Sequence, residues 1–167
     1  PMRLIDVLTG DSKGVTIDRP EMTAAVAFLS SNRAVALLQN GQLKLWDLDR
    51  REAAKGSPGA VTPAPASERE HQSPALAVAP DGSSIAASLW TRVEILPVAP
   101  GGITATIDVK GLEIRAATLA FDPTGRLLAV GLENGVVVWI EVGTRAARRR
   151  SMLRVVRSNA GPPTIAS

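Results

Sequence analysis

The chain has 167 residues and a net charge of +3, with 45% apolar but only 3% aromatic residues. This length suits one ordinary domain with a real apolar core. The absence of cysteine excludes a disulfide framework and a thiolate metal site. The single histidine, His71, has no cysteine to act on, and no phosphate-binding glycine motif is present. We therefore predict a non-enzymatic protein with no cofactor and no bound metal.

Targeting signals are missing from the sequence as it stands. No apolar run approaches the roughly 18–20 residues that cross a bilayer. The N-terminal residues lack the basic segment and long apolar stretch of a signal peptide. This pattern predicts a cytoplasmic protein, with the nucleus as an alternative, unless a targeting sequence precedes Pro1.

A short apolar pattern recurs four times along the chain. Its anchor residues are Ile5, Trp46, Leu96 and Ile140, which follow one another at intervals of 41, 50 and 44 residues. A period of roughly 40–45 residues is typical of propellers built from four-stranded blades. The sequence therefore predicts a repeat array of β-sheets.

The segments before the last three anchors share one layout. Starting at Ala25, Ala75 and Thr118, they superpose without a gap as an apolar run, a turn and a second apolar run. Pro80-Asp81-Gly82 and Pro123-Thr124-Gly125 place glycine where a turn needs a positive φ.

Asparagine marks two kinds of turn in these segments. Asn32 takes the glycine position of the first copy, since asparagine tolerates a positive φ better than most residues. Asn40-Gly41 and Asn134-Gly135 are strong hairpin signals that lead into the anchor strands. The pattern predicts an antiparallel meander in each copy.

These copies resemble the WD40 repeat family. The similarity is best over Val26–Leu48, which ends in the Trp46-Asp47 pair that names the family, and Leu76–Val98 and Leu119–Val142 follow the same layout. The other anchors lack Trp-Asp, and the family's Gly-His pair is absent. The resemblance implies an all-β fold, a β-propeller segment of four-stranded antiparallel blades. The departures imply blades held by apolar packing in place of the family's polar network.

The resemblance also implies the domain organisation. A partial propeller covers residues 1–157, with a partial blade at about 1–19 and full blades at about 23–63, 74–109 and 115–156. The first blade starts at its third strand, over Arg3–Val7, and Gly14–Ile17 is its outer strand. A flexible Pro/Ala-rich insert spans 53–74, with Val61-Thr62 as remnant of an outer strand, and 158–167 form a disordered tail.

About three blades plus half a blade do not close a ring, because propellers use four to eight blades. We therefore expect further blades from the same or another chain, or an assembly of several copies. The alternative is an open meander of marginal stability.

The resemblance implies a protein–protein interaction scaffold, a segment of a larger protein or complex. Partners are expected at the rim that holds the loops between second and third strands and the loops that enter each first strand. Trp90, Arg92 and Arg115 are the candidate partner-binding residues there. Packing of Trp90 against the next blade is the alternative interpretation.

Arginines dominate the end of the chain. Six of the 19 basic residues follow Glu141, among them Arg145, Arg148, Arg149 and Arg150. This basic segment suggests a second function, association with nucleic acid or anionic lipid, although no aromatic residue accompanies it for base stacking. A solvated outer strand is the simpler interpretation, so we favour protein partners over nucleic acid or membrane. A third alternative is a truncated fragment without independent function.

Overall fold

All regular structure in the described residues is β-strand. The computed structural model describes residues 2–5, 8–15, 22–56, 58–63, 74–89, 91–99, 105–108, 115–142 and 154–156. Their strands form one two-stranded and three four-stranded sheets, in which sequential strands pair antiparallel. The prediction of an all-β chain with four-stranded antiparallel blades is confirmed. A search of these residues found no helix able to span a membrane.

The strands follow one another as four units, named here in chain order. The half-blade consists of β1 (Met2–Ile5) and β2 (Ser12–Val15). Blade 1 consists of β3 (Thr23–Ser30), β4 (Arg33–Leu38), β5 (Leu43–Asp47) and β6 (Glu52–Ala53). Blade 2 consists of β7 (Ala75–Val78), β8 (Ser84–Ser88), β9 (Arg92–Pro97) and β10 (Ala105–Asp108). Blade 3 consists of β11 (Ala116–Phe121), β12 (Leu127–Leu132), β13 (Val137–Glu141) and β14 (Arg154–Val156).

Each blade has two apolar faces, because successive side chains of a strand point to opposite sides of the sheet. We call the side that carries the anchors Trp46, Leu96 and Ile140 the leading face, and the opposite side the trailing face. Blades in the interior of a stack bury both faces, which explains the near-continuous apolar runs in β4, β8 and β12.

The core lies in the two seams between neighbouring blades. In the first seam, Val35, Leu37 and Leu45 of the trailing face of blade 1 pack with Ile85 and Leu96 of the leading face of blade 2. The second seam joins the trailing face of blade 2 to the leading face of blade 3, through Val93, Ile95, Leu128, Val130 and Ile140. Each fully buried aliphatic side chain contributes roughly 1.5–3 kcal/mol, so these seams hold the stack together.

Strand β7 contacts both β3 and β11, so the first strands of the blades lie next to one another. This arrangement puts β3, β7 and β11 innermost and the fourth strands outermost.

Turn chemistry explains most of the strand boundaries. Gly82 and Gly125, the glycines of the Pro-Asp-Gly and Pro-Thr-Gly turns, have φ of +69° and +71°. In the hairpins, Gly41 and Gly135 have φ of +88° and +80°, and the preceding asparagine side chains accept hydrogen bonds from the backbone two residues on. Gly41 has a second reason to lack a side chain, because a Cβ there would lie 2.3 Å from the carbonyl oxygen of Val61.

Three local expectations were wrong. Ser30 pairs directly with Arg33, so the first turn of blade 1 is tighter than the sequence superposition implies. Arg51, with φ of 59°, is the non-glycine residue with positive φ in the described part of the chain, so Asn32 does not replace a turn glycine. The outer strand of the half-blade is Ser12–Val15, two residues earlier than the predicted Gly14–Ile17.

The outer edge of blade 1 is made in two pieces. Strand β6 pairs with Trp46 and Asp47, and the chain then returns so that Ala60 bridges Gln42. The Val61 amide donates to the Gly41 carbonyl at 2.8 Å, which places Val61 in the first seam. The remainder of the predicted insert, residues 64–73, lies outside the described residues.

Candidate functional site

Equivalent positions in the blades follow from strand register. Across the second and third strands, Ala34 pairs with Trp46 and Leu128 pairs with Ile140. On the innermost strands, Phe28 pairs with Ala34 and Phe121 pairs with Leu128. Phe28 and Phe121 therefore occupy the same position, on the leading faces of blades 1 and 3.

The two phenylalanines have different surroundings. Phe121 packs against the second seam, and its neighbour Leu119 is 8% exposed. Phe28 is 64% exposed, and Val26, at the position equivalent to Leu119, is 47% exposed. The difference arises because strands β7 and β8 of blade 2 lie against β11, whereas the described residues of the half-blade form two strands and supply no such inner pair to β3.

Exposure on the leading face of blade 1 is confined to the innermost strand. Farther out on the same face, Ala34, Ala36, Trp46 and Leu48 form a buried cluster. The Trp46 indole Nε1 is buried without a hydrogen-bond partner. The buried residues that cluster with the indole, Ala34, Ala36 and Leu48, have no polar group in their side chains.

The trailing face of blade 3 is also uncovered. The residues just before the anchors, Leu45, Ile95 and Trp139, occupy equivalent positions on the trailing faces. Leu45 and Ile95 are 4% and 8% exposed, but Trp139 is 39% exposed. An exposed tryptophan on a sheet face is a large apolar contact surface of the kind that protein interfaces use. We call the Val26–Phe28 and Trp139 surfaces the two end faces.

Two of the three predicted partner-binding residues lie at one rim. Arg92 begins β9 and is exposed, and Arg115 immediately precedes β11. The Arg115 Nε donates to Glu133 Oε2 at 2.8 Å, and the Glu133 amide donates to the Arg115 carbonyl at 3.1 Å. Arg115 therefore fixes the entry of β11 against the loop between β12 and β13. Trp90 lies outside the described residues.

The basic segment stays a prediction, because Arg145, Arg148, Arg149 and Arg150 lie outside the described residues. Within the described part, no group of three or more His, Cys, Asp or Glu side chains is placed to hold a metal ion.

One polar contact inside the first seam was not predicted. Glu94 is 6% exposed, and its carboxylate accepts hydrogen bonds from the Thr62 amide, at 3.0 Å, and from the Thr62 hydroxyl. This pair fastens the end of the two-piece outer edge of blade 1 onto blade 2. The feature of the sequence that could have indicated this contact is Glu94 itself, a single acidic residue within the apolar run of β9.

Two aspartates order the turns at the rim opposite Arg92 and Arg115. The Ser83 amide and then its hydroxyl bind the carboxylate of Asp81 and hold its pKa below the usual value of 3.8. The Thr124 hydroxyl, followed by the Leu127 amide, lowers the pKa of Asp122 in the same way. These aspartates act within their own turns.

Sequence comparison with known proteins gives no relatives. No protein-family model matches the chain, and no curated protein matches it. The similarity to other proteins is therefore visible at the level of structure.

Solved WD40 propellers share the architecture of the chain. The β-propeller domain of Cps50 (Swd1) from Myceliophteria thermophila superposes with a TM-score of 0.61 and 12% identity, over 84% of this chain and 40% of that one. The C-terminal WD40 domain of Sif2 superposes with a TM-score of 0.57 and 12% identity, over 81% of this chain and 38% of that one. The chain thus spans about two fifths of these domains. It has a WD40-type β-propeller fold, as an open segment of the ring.

Proposed function

We propose that this chain is a non-catalytic scaffold that binds other blades through its two end faces. The observation that carries the proposal is the contrast between Phe28, which is 64% exposed, and the equivalent Phe121, which packs into a seam. WD40 propellers in general serve as protein-interaction scaffolds, which supports a protein as the partner.

The occupant of each end face should itself be a blade. Inside the chain, both seams are made by the same strand positions, with one leading face packed on one trailing face. The end faces repeat those positions, and no complete four-stranded sheet among the described residues covers them. A blade contributed by the same polypeptide or by another chain would therefore complete a contact that the fold already makes twice.

The exposed side chains supply the driving force for such a contact. Val26, Phe28 and Trp139 are large apolar groups that are 47%, 64% and 39% exposed. Fully burying an exposed apolar side chain contributes roughly 1.5–3 kcal/mol, and each of these groups gains the part that corresponds to its exposed fraction. Aromatic side chains are enriched in the residues that dominate interface energetics.

Photocrosslinking in cells tests this proposal. A benzophenone amino acid is placed at position 28, at position 139 or, as the matched control, at position 121, in the protein expressed in its native cells. Positions 28 and 139 should give adducts with residues of an added blade, identified by mass spectrometry. Position 121 should give adducts only with the neighbouring blade 2.

The pattern of adducts decides the outcome. The proposal would be contradicted if positions 28 and 139, like position 121, gave adducts only with residues of blades 1–3. Adducts that vary with each preparation and identify no β-rich segment would also contradict it, since a specific blade leaves one reproducible contact.

A further inference from the structure

A cavity of about 400 Å³ lies in the first seam, at the rim opposite Arg92 and Arg115. Four chain segments converge on it. Arg33 comes from the start of β4, Lys55 from the two-piece edge of blade 1, Ser83 from the first turn of blade 2, and Val98 directly follows β9. Two blades therefore share the walls of this cavity.

The charged side chains that line the cavity are both cationic. Within the described residues, neither Arg33 nor Lys55 forms an ion pair with an acidic side chain. Both are exposed, so their charged groups are free to meet an anion.

The acidic residues around this rim have partners of their own. Asp47 pairs across the strands with Arg33, but its carboxylate accepts from the Arg50 amide at 2.9 Å. The Asp49 carboxylate accepts from the side-chain amide Nδ2 of Asn32 at 3.2 Å. Asp81 is held by the amide and hydroxyl of Ser83. Asp47, Asp49 and Asp81 keep their negative charges, but none of them is among the described residues that line the cavity, where Arg33 and Lys55 supply the charge.

We infer that this cavity binds the carboxylate of an acidic segment in a partner protein. The inference rests on the proposed scaffold function and adds the chemistry of one partner. The guanidinium of Arg33 offers the planar pair of donors that matches a carboxylate, and the Lys55 ammonium adds a second, more mobile charge. A volume of this size is at the small end of ligand pockets, enough for one or two side chains.

The remaining walls favour a peptide over a nucleic acid. Leu45, Val98 and Ala99 line the cavity, and such apolar groups pack the methylene groups of a glutamate and its apolar neighbours. Among the described residues, no aromatic side chain lines it for base stacking. Two cations also fall short of the several phosphate contacts on which nucleic-acid affinity depends.

Fluorescence anisotropy with a defined probe tests the inference. The probe is a short fluorescein-labelled peptide of alternating glutamate and valine, and its counterpart has glutamine in place of glutamate. The binding partners are the full chain and its Arg33→Gln/Lys55→Gln variant. The matched control is Arg126→Gln, which removes an exposed arginine from the corresponding turn of blade 3 on the same rim.

We expect the glutamate peptide to bind the full chain and the glutamine peptide to bind at least about tenfold more weakly. The double variant should lose about tenfold in affinity for the glutamate peptide, because two charge-assisted contacts disappear. Arg126→Gln should leave binding unchanged. Circular dichroism melts confirm that each variant is folded.

Three results would overturn the inference. The first is that the double variant binds the glutamate peptide as tightly as the full chain does. The second is that Arg126→Gln weakens binding as much as the double variant does. Alternatively, polyuridylate or inorganic phosphate displaces the peptide at lower concentration than free glutamate peptide, which would assign the cavity to phosphate. Crosslinking at positions 28 and 139 does not involve this cavity, so each proposal fails separately.

Discussion

The leading faces of blades 1 and 3 carry the same pattern but differ in their surroundings. Phe28 and Phe121 occupy one strand position, yet one is 64% exposed and the other packs into a seam. The pattern of a blade therefore specifies two apolar faces, and the presence of a neighbouring blade decides whether those faces are buried. A propeller blade is in this sense an incomplete folding unit.

The two faces also fill the same space differently. Blade 1 sets the large indole of Trp46 against Ala34 and Ala36, whereas blade 3 uses Leu128, Val130 and Ile140 at the equivalent positions. Interior packing density can be reached in two ways. One uses a single large side chain with small neighbours, and the other uses several side chains of medium size.

The largest expected loss of stability comes from a substitution at the centre of the second seam. Leu128 is fully buried in the second seam, so Leu128→Ala should lower the free energy of unfolding by about 3 kcal/mol through lost contacts and a cavity. Urea titration followed by circular dichroism measures the change. A loss below about 1 kcal/mol would mean that blades 2 and 3 do not pack as described.

The equivalent phenylalanines give the sharpest paired test. Phe121→Ala should lower the free energy of unfolding by about 2 kcal/mol, because the ring packs into a seam but is only partly buried. Phe28→Ala should change it by less than about 0.5 kcal/mol in the isolated chain, as expected for an exposed site. Equal losses in the two variants, measured by the same urea titration, would remove the basis of the comparison.

Substitution of Glu94 tests whether a polar contact adds to the stability of a largely apolar seam. Glu94→Ala should cost about 1.5 kcal/mol, because the Thr62 amide and hydroxyl lose a charged acceptor. Glu94→Gln is the matched control, since the amide side chain can accept from the Thr62 amide and donate to its hydroxyl. If Glu94→Gln costs as much as Glu94→Ala in thermal melts, the charge matters more than the hydrogen bonds.

The smallest effect concerns the turn of blade 3. Folding lowers the pKa of Asp122 from 3.8, mainly through the Thr124 hydroxyl. The resulting stabilisation is present above pH 3.8 and is lost as the pH falls below it towards the lowered value. Asp122→Asn should therefore show a weaker fall of the melting temperature below pH 3.8 than the unaltered chain. Identical acid profiles would contradict this assignment.

The sequence predicted those features that short-range chemistry controls. Asn-Gly hairpins marked strand boundaries of blades 1 and 3, and Pro-x-Gly turns marked those of blades 2 and 3. The spacing of Trp46, Leu96 and Ile140 located equivalent strands. The three anchors lie on third strands and pair with Ala34, Ile85 and Leu128 of the second strands. These predictions succeed because turn geometry and strand alternation depend on neighbouring residues.

Other features depend on contacts between distant residues. The shorter turn at Asn32 follows from the pairing of Ser30 with Arg33, and a gap-free superposition cannot detect it. The contact between Glu94 and Thr62 joins residues 32 positions apart, across an insert that carries no repeat pattern. The cavity at Arg33 and Lys55 likewise exists only where two blades meet.

The most direct test of blade stacking compares the reactivity of one thiol at two positions. The chain contains no cysteine, so Phe28→Cys and Phe121→Cys each introduce a single reporter, and maleimide labelling of the purified folded chain measures its accessibility. The described stack predicts fast labelling at position 28 and much slower labelling at position 121. Equal rates at the two positions in folded protein would contradict it, because the preceding blade would then not cover the leading face of blade 3.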